Sequence, residues 1–292
     1  MNKVLIGGHR GSGCTDNREC RKINSADFPE NTLKAFEKAF DDGADFIEID
    51  VVKTADNNLV LIHSNKLSNH VFNQNVKKFV GDYTLEELRN YRVGFFSNGI
   101  IPTLEEALKL TEKYRKNNGK LFVNIEIKDV KGTSLEKQSN PSLPELLTKY
   151  VKDREDWIVF SSFDINDLIE CRKLMPNIKR AMLFDSYKIF ERKIYSKGDS
   201  RYLNFSEKNI KKAKELADIS FCHPELKTVN RKNIKLCGEI GLDVNSWRFH
   251  EDFPEKEVRY VNNFIRLAKV YKIEIGIITD FIKEMKKQLE AL

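Results

Sequence analysis

Asp45-Phe46-Ile47-Glu48-Ile49-Asp50-Val51 sets two carboxylates two residues apart within an otherwise apolar segment. Apolar residues alternate with acidic ones, a pattern typical of a β-strand because successive side chains point to opposite faces. Glu48 and Asp50 therefore share one face, and the isoleucines share the other with Val51. Two neighbouring carboxylates repel unless a cation lies between them, and such oxygen ligands suit Mg or Ca. The alternative interpretation is a polar strand face exposed to solvent.

Strands and helices alternate along the whole chain. The first helix is predicted to begin at Asn31, a favourable N-cap, and to end at Gly43. Eight strand–helix units in 292 residues predict one α/β domain over residues 1–292, a (β/α)8 TIM barrel. A polar segment at about 64–98 is predicted to be a small insertion after the second strand, with a short helix near 84–90. Strands are predicted to begin near Val4, Asp45, Leu121, Trp157, Arg180, Asp218, Leu242 and Ile273.

A hairpin is predicted directly after the acidic strand. The chain turns through Ala55-Asp56-Asn57-Asn58 and returns as an apolar run before His63. Parallel strands need a dozen or more connecting residues, so this short connection indicates an antiparallel pair. If Ala55 faces Asn58, His63 falls opposite Asp50, within one residue of register. The hairpin thus returns a histidine to the carboxylates.

Other polar residues are predicted to meet Glu48 and Asp50. His9 and Arg10 follow the first strand, and Glu126 and Lys128 alternate with apolar residues in the strand from Leu121. The carboxyl ends of the strands form the active face of a TIM barrel. A single histidine is more often structural than catalytic, but two histidines beside three carboxylates favour a catalytic site.

The composition describes a globular protein with a solvated surface. The net charge of +6 is a small excess, which favours an anionic small molecule over nucleic acid as the partner. The Lys-rich segment 188–214 suggests nucleic-acid binding, but no recognised motif accompanies it, and a solvated surface is the preferred interpretation. Five scattered cysteines indicate reduced thiols, not disulfides or a zinc site. With neither a leader nor a membrane span visible, a cytoplasmic location is expected.

The ordered motifs resemble those of the glycerophosphodiester phosphodiesterase family over essentially the whole chain. Each motif is weak alone, whereas the ordered set is highly specific. The matching segments are His9-Arg10-Gly11, Pro29-Glu30-Asn31-Thr32, Gly43-Ala44-Asp45, Glu48-x-Asp50, His63, Ile101-Pro102-Thr103-Leu104-Glu105-Glu106, Asn124-Ile125-Glu126-Ile127-Lys128, Ser161-Ser162-Phe163, Gly241 to Trp247 and Gly276-Ile277-Ile278-Thr279-Asp280.

The resemblance implies hydrolysis of glycerophosphodiesters to glycerol 3-phosphate and an alcohol. It implies a divalent metal, Mg or Ca, on Glu48, Asp50 and Glu126. His9 and His63 would be the acid–base pair, with neither role assigned to either residue. Arg10 and Lys128 would hold phosphate oxygens, and Trp247 is a possible substrate contact. By similarity, the attacking group would be the neighbouring glycerol hydroxyl, and water would then open the cyclic phosphate.

Departures from the family pattern leave other hypotheses about function open. Ser64 stands where the family commonly has Asp, and the usual Arg-Thr-Thr-like stretch is absent from 66–75, which puts substrate choice in doubt. A phospholipase D of the sphingomyelinase D type, acting on lysophospholipids or sphingolipids, is one alternative. A non-catalytic phosphate-ester binding module is another.

Overall fold

The computed structural model describes residues 4–12, 27–71, 76, 79–94, 96–128, 141–184, 203–247 and 258–291. Nine strands and nine α-helices lie in these ranges. The strands are β1 (Leu5–His9), β2 (Phe46–Lys53), β3 (Leu59–Leu61), β4 (Phe122–Ile127), β5 (Ile158–Ser162), β6 (Lys179–Phe184), β7 (Phe221–Pro224), β8 (Asp243–Trp247) and β9 (Ile275–Thr279). The helices are α1 (Leu33–Asp41), α2 (Leu85–Leu88), α3 (Leu104–Arg115), α4 (Leu143–Val151), α5 (Ile165–Leu174), α6 (Glu207–Ala217), α7 (Arg231–Glu239), α8 (Val258–Tyr271) and α9 (Ile282–Glu290).

The chain divides into two compact units, of which one comprises residues 7–158 and 280–283. In this unit β2 lies between β1 and β4, parallel to both, and pairs with β3 in antiparallel orientation at its far end. All eight residues of β2 are buried. An alternating strand is therefore buried on both faces, so the solvent-exposed interpretation of its acidic face is wrong.

The N-cap of helix α1 lies one residue later than predicted. Thr32, not Asn31, is its N-cap, and the Thr32 hydroxyl accepts a hydrogen bond from the backbone N–H of Ala35. Asn31 adopts a left-handed conformation with φ +56° just outside the helix. The prediction of Asn31 as the cap was wrong because its side chain has a tertiary partner on β2.

The hairpin of β2 and β3 is present, with a register one residue from the one predicted. Val51 pairs with Leu61, and the N–H of Ile62 donates to the carbonyl of Asp50. Beyond the strand ends, the backbone N–H of Thr54 donates to the carbonyl of Asn58 and closes a three-residue loop, 55–57, whose last residue, Asn57, is left-handed at φ +59°. The extra loop residue shifts the pairing, so His63 follows the residue opposite Asp50.

The predicted insertion packs against this hairpin, and the two share a hydrophobic core. The predicted short helix is α2, capped by Thr84 and Glu87. Two single turns of 3-10 helix, Leu67–Asn69 and Val80–Asp82, also lie in the insertion. This core consists of buried apolar residues of the hairpin and of the insertion, together with Ile101 from the segment that follows: Val52, Val60, Ile62, Leu67, Val71, Val76, Val80, Tyr83, Leu88, Val93 and Ile101.

The second unit comprises residues 4–6, 159–279 and 284–291 of the described chain. Its strands β5 to β9 are parallel and adjacent in chain order. Helix α6 was not predicted, because only Ile210, Ala213 and Ala217 are buried in a Lys-rich sequence and they form a weak apolar stripe. Residues 188–202 of the Lys-rich segment 188–214 lie outside the described residues.

Eight parallel strands alternate with helices, and the fold is the predicted (β/α)8 barrel with β3 added by the hairpin. The assignment of residues 1–292 to a single domain stays a prediction. Among the described residues, no helix is both long enough and apolar enough to span a bilayer.

Candidate active site

Three carboxylates meet on one face of the β2–β4 pair. The register places Glu48 beside Asn124 and Asp50 beside Glu126, on strands that lie about 4.8 Å apart. Each of Glu48, Asp50 and Glu126 offers an oxygen, and these three atoms lie within 4.8 Å of one another. The carboxylates are therefore close enough to bind one cation together.

Two cations lie among these carboxylates. The Lys128 ammonium is 2.9 Å from Asp50 Oδ1 and also contacts Glu126. The Arg10 guanidinium donates from Nη1 to Glu30 Oε2 at 2.8 Å, and its Nε lies 3.3 Å from Asp50 Oδ2. Among the described residues, Arg10 and Lys128 contact three buried carboxylates: Glu30, Asp50 and Glu126. Glu48 is a fourth buried carboxylate beside them, so the acidic side chains outnumber the two cations. A divalent ion would balance this excess of negative charge.

The buried polar atoms also fit an oxygen-bound ion. Glu48 Oε2 accepts the backbone N–H of Arg10 at 3.0 Å. Glu48 Oε1 and both amide atoms of Asn124 are buried and have no hydrogen-bond partner within the described part of the chain. Buried polar atoms are nearly always satisfied, so these atoms point to a missing partner. The donor set, carboxylate oxygens with an amide beside them, suits a hard divalent cation.

The pKa shifts show how crowded the charges are. Burial raises the pKa of Glu48, and the carboxylates of Asp50 and Glu126 raise it further, to well above the ordinary value. Burial also favours a raised pKa at Asp50, but Lys128, His63 and Arg10 outweigh it and lower that pKa strongly. Asp50 is therefore the carboxylate that the two cations keep ionised, whereas Glu48 lacks sufficient positive charge nearby.

The cations respond in the opposite direction. Burial acts to lower the pKa of Arg10, but the carboxylates of Glu30, Asp50 and Glu48 outweigh it and raise that pKa. Burial likewise acts to lower the pKa of Lys128, whereas Asp50 and Glu126 raise it. Both side chains therefore stay charged throughout the physiological range.

The two predicted catalytic histidines have different surroundings. His9 Nδ1 lies 2.9 Å from Asp280 Oδ1, and the Asp280 side chain is nearly inaccessible. Burial, Arg10 and Lys128 lower the pKa of His63 to well below its ordinary value, although Asp50 opposes this shift. His63 is consequently neutral at pH 7 and able to accept a proton, and the Asp280 carboxylate fixes the orientation of the His9 ring.

Sequence reasoning missed several residues of this site. Asn31 donates from Nδ2 to Asp50 Oδ2 at 2.7 Å, and its Oδ1 accepts the backbone N–H of Asp50. Glu30 pairs with Arg10, and Asp280 pairs with His9. Asn31 and Glu30 lie in a motif interpreted only as a helix start. Asp280 is 271 residues from His9 in sequence, and no local pattern links them.

Trp247 belongs to the other unit, at the end of β8. Its Nε1 donates to the carbonyl of His223 at 2.8 Å, and its ring meets Phe163 edge-on at 5.9 Å between centroids. These contacts hold the indole in place. Its predicted contact with substrate stays a prediction.

Comparison with known proteins places this geometry in a family. The model of the glycerophosphoryl diester phosphodiesterase family matches residues 24–284. The glycerophosphodiester phosphodiesterase of Caldanaerobacter subterraneus subsp. tengcongensis is 34% identical over 189 residues, which cover 62% of this chain and 67% of that relative.

Solved structures agree on the fold. A glycerophosphodiester phosphodiesterase from Parabacteroides distasonis superposes with a TM-score of 0.68 at 22% identity, covering 99% of this chain and 98% of the other. An Oleispira antarctica phosphodiesterase, solved in complex with the product sn-glycerol-3-phosphate, gives a TM-score of 0.67 at 19% identity over 98% and 96% of the two chains. The chain therefore belongs to the glycerophosphoryl diester phosphodiesterase family, a family of phosphoric diester hydrolases.

Proposed function

We propose that the chain hydrolyses glycerophosphodiesters to glycerol 3-phosphate and an alcohol, with a divalent ion, Mg or Ca, held by Glu48, Asp50 and Glu126. The observation that carries this proposal is the set of three buried carboxylates with oxygens within 4.8 Å of one another, beside two partly buried cations. The product named for the Oleispira antarctica relative supports the same substrate class.

Cleavage of a phosphodiester requires neutralised charge on the non-bridging oxygens and a proton-transfer group on each side of the phosphorus. When bound, the ion supplies positive charge to those oxygens. Glu30 and Asp50 engage Nη1 and Nε of Arg10, which leaves its Nη2 donors for a phosphate oxygen. Lys128 contacts two carboxylates and carries three donors, so one remains for the substrate.

His9 and His63 are the proposed acid–base pair. One accepts the proton of the substrate's neighbouring glycerol hydroxyl, whose oxygen attacks phosphorus, and the other protonates the departing alkoxide. Water then opens the resulting cyclic phosphate, with the proton transfers reversed. The neutral state of His63 and the bond between His9 Nδ1 and Asp280 support both roles.

A substrate panel tests the proposal. Glycerophosphocholine, glycerophosphoethanolamine and lysophosphatidylcholine are incubated with protein and either Mg or Ca, and products are identified by mass spectrometry. Glycerol 3-phosphate is expected from the first two substrates. His9→Ala and His63→Ala are expected to lose at least about a hundredfold in kcat, whereas Lys113→Ala, on an exposed part of α3, should match the parent protein.

The same panel distinguishes the proposed function from the two alternative functions. Turnover of lysophosphatidylcholine alone would replace the proposal with the phospholipase D alternative. Binding of the esters without turnover under either ion would favour the non-catalytic module.

A further inference from the structure

A third histidine lies behind the proposed site. His70 follows the 3-10 turn Leu67–Asn69 in the insertion, and only 4% of its surface is exposed. Its ring centroid is 6.5 Å from that of His63, and the two rings are nearly perpendicular. No role was predicted for it.

The hydrogen bond at Nε2 determines the state of the His70 ring. The backbone N–H of Ser64 donates to Nε2 at 3.0 Å, so this nitrogen must present a lone pair. The ring is therefore neutral and carries its proton on Nδ1. Burial, with Arg10 as an additional positive charge, lowers the pKa of His70 despite the opposing effect of Glu30, in agreement with a neutral ring.

The protonated nitrogen faces the network that holds Arg10. His70 Nδ1 lies 3.7 Å from Glu30 Oε1, and the other oxygen of Glu30 accepts a hydrogen bond from Arg10. At this distance the N–H dipole attracts the carboxylate without a direct hydrogen bond. One ring thus lies between the backbone that follows His63 and the carboxylate that holds Arg10.

The insertion fixes the position of this ring. The backbone N–H of His70 donates to the carbonyl of Leu67, and its own carbonyl accepts the N–H of Gly94. Its chain neighbour Val71 is part of the buried core that the insertion shares with the hairpin. His70 is consequently anchored from both sides of the insertion.

We infer that His70 is a positioning residue: by accepting the Ser64 N–H it fixes the backbone that carries His63, and through Glu30 it favours the observed placement of Arg10. The inference deepens the proposed function and rests on it for its effect on turnover. The competing interpretation is that His70 only fills space beneath the insertion.

Three substitutions separate the two interpretations. The His70→Gln side chain reaches far enough to offer an amide oxygen near the position of Nε2, whereas that of His70→Asn reaches only to the position of Nδ1. His70→Ala offers neither contact. We expect His70→Gln to keep kcat within about threefold of the parent protein, and the Asn and Ala variants to lose about tenfold or more, because a partly buried N–H is left without its acceptor.

A readout independent of turnover accompanies these rates. Protein labelled with 15N at histidine reports the ring nitrogens of His63 by NMR. We expect these signals to move in the Asn and Ala variants and to stay near their original positions in the Gln variant. Denaturant unfolding of each variant supplies the folded fraction by which kcat is normalised.

Every outcome decides the inference. It is overturned if kcat per folded molecule and the His63 signals are unchanged in the Ala variant, or if the Gln variant loses as much as the Asn variant. If the parent protein turns over no phosphodiester, the proposed function fails, and the His63 signals alone test the positioning role.

Discussion

Replacing Glu48 with glutamine should have opposite effects with and without a divalent ion. Glu48 is 3% exposed, and its Oε2 accepts the backbone N–H of Arg10. Glutamine keeps this acceptor and the shape of the side chain while removing the charge. The substitution therefore isolates the electrostatic contribution of one carboxylate.

Without the ion, Glu48→Gln is expected to stabilise the protein. Two unit charges 4.8 Å apart repel by about 3.5 kcal/mol at an effective dielectric constant of about 20, and Glu48 has two such neighbours, Asp50 and Glu126. Arg10 and Lys128 offset part of this repulsion, but burial and the two carboxylates keep the pKa of Glu48 raised, so the ionised form of Glu48 is unfavourable in the folded state. We expect the free energy of unfolding to increase by about 1–3 kcal/mol.

The pH dependence follows from the sign of the same pKa shift. A raised pKa means that ionised Glu48 destabilises the folded state, so the gain from Glu48→Gln is largest above that raised pKa. The gain should shrink as the pH falls and vanish below the ordinary value of 4.5, where the carboxyl is protonated in both states.

With the ion, the same substitution should weaken binding. An ion present at a concentration 100 times its Kd stabilises the folded state by about 2.7 kcal/mol. If the substitution weakens binding a hundredfold, the same ion concentration stabilises the variant by only about 0.4 kcal/mol. The assay is urea denaturation in EDTA and in Mg or Ca, with Glu86→Gln on the exposed side of α2 as the control. A variant that is less stable than the parent protein in EDTA, or that gains as much from the ion, would refute the reasoning.

Three further predictions concern stability. Burial lowers the pKa of His223 to about 3. Protonation of this histidine in the unfolded chain should therefore destabilise the folded protein as the pH falls from 6.5 to 3, by about 3 kcal/mol at pH 4. In unfolding measured as a function of pH, His223→Gln should reduce this loss of stability. The Arg180 guanidinium donates to the carbonyls of Ala217, the last residue of α6, Met175, which directly follows α5, and Ile178, which precedes β6. Arg180→Met should therefore cost about 2–4 kcal/mol in denaturant unfolding, whereas the exposed Arg172→Met should cost under about 1 kcal/mol. Gly11 has φ +85°, and a Cβ there would lie 2.7 Å from the backbone of Ala35 in α1. Gly241 has φ +68°, but no atom would lie within 4 Å of its Cβ. Gly11→Ala should therefore lower Tm more than Gly241→Ala, and equal losses would contradict the close approach at Gly11.

The strands and the carboxylates were predictable because their signals are local. Alternation places Glu48 and Asp50 on one face of β2 without reference to any other part of the chain. The same pattern in β4 supplies Glu126 and Lys128, and the parallel register joins the two sets. The capping box of Thr103 and Glu106, which begins α3, is likewise a local signal, because its two residues lie three positions apart.

The remainder of the site depends on contacts between distant segments. Asn31 reads as a helix cap by local preference, yet bonding to a buried carboxylate overrides that preference. The pairing of Asp280 with His9 and the position of His70 beside Glu30 follow from how strands and insertion pack. The hairpin differs from its predicted register by one residue because its loop has three residues, the last of which is the left-handed Asn57.

Metal dependence is tested by treating the protein with EDTA and measuring glycerol 3-phosphate release from glycerophosphocholine as Mg or Ca is added back. We expect no turnover in EDTA, recovery as the ion saturates the site, and little recovery in Glu126→Gln at the same ion concentration. Full turnover in EDTA, or equal recovery in the variant, would contradict a metal-dependent site built on Glu48, Asp50 and Glu126.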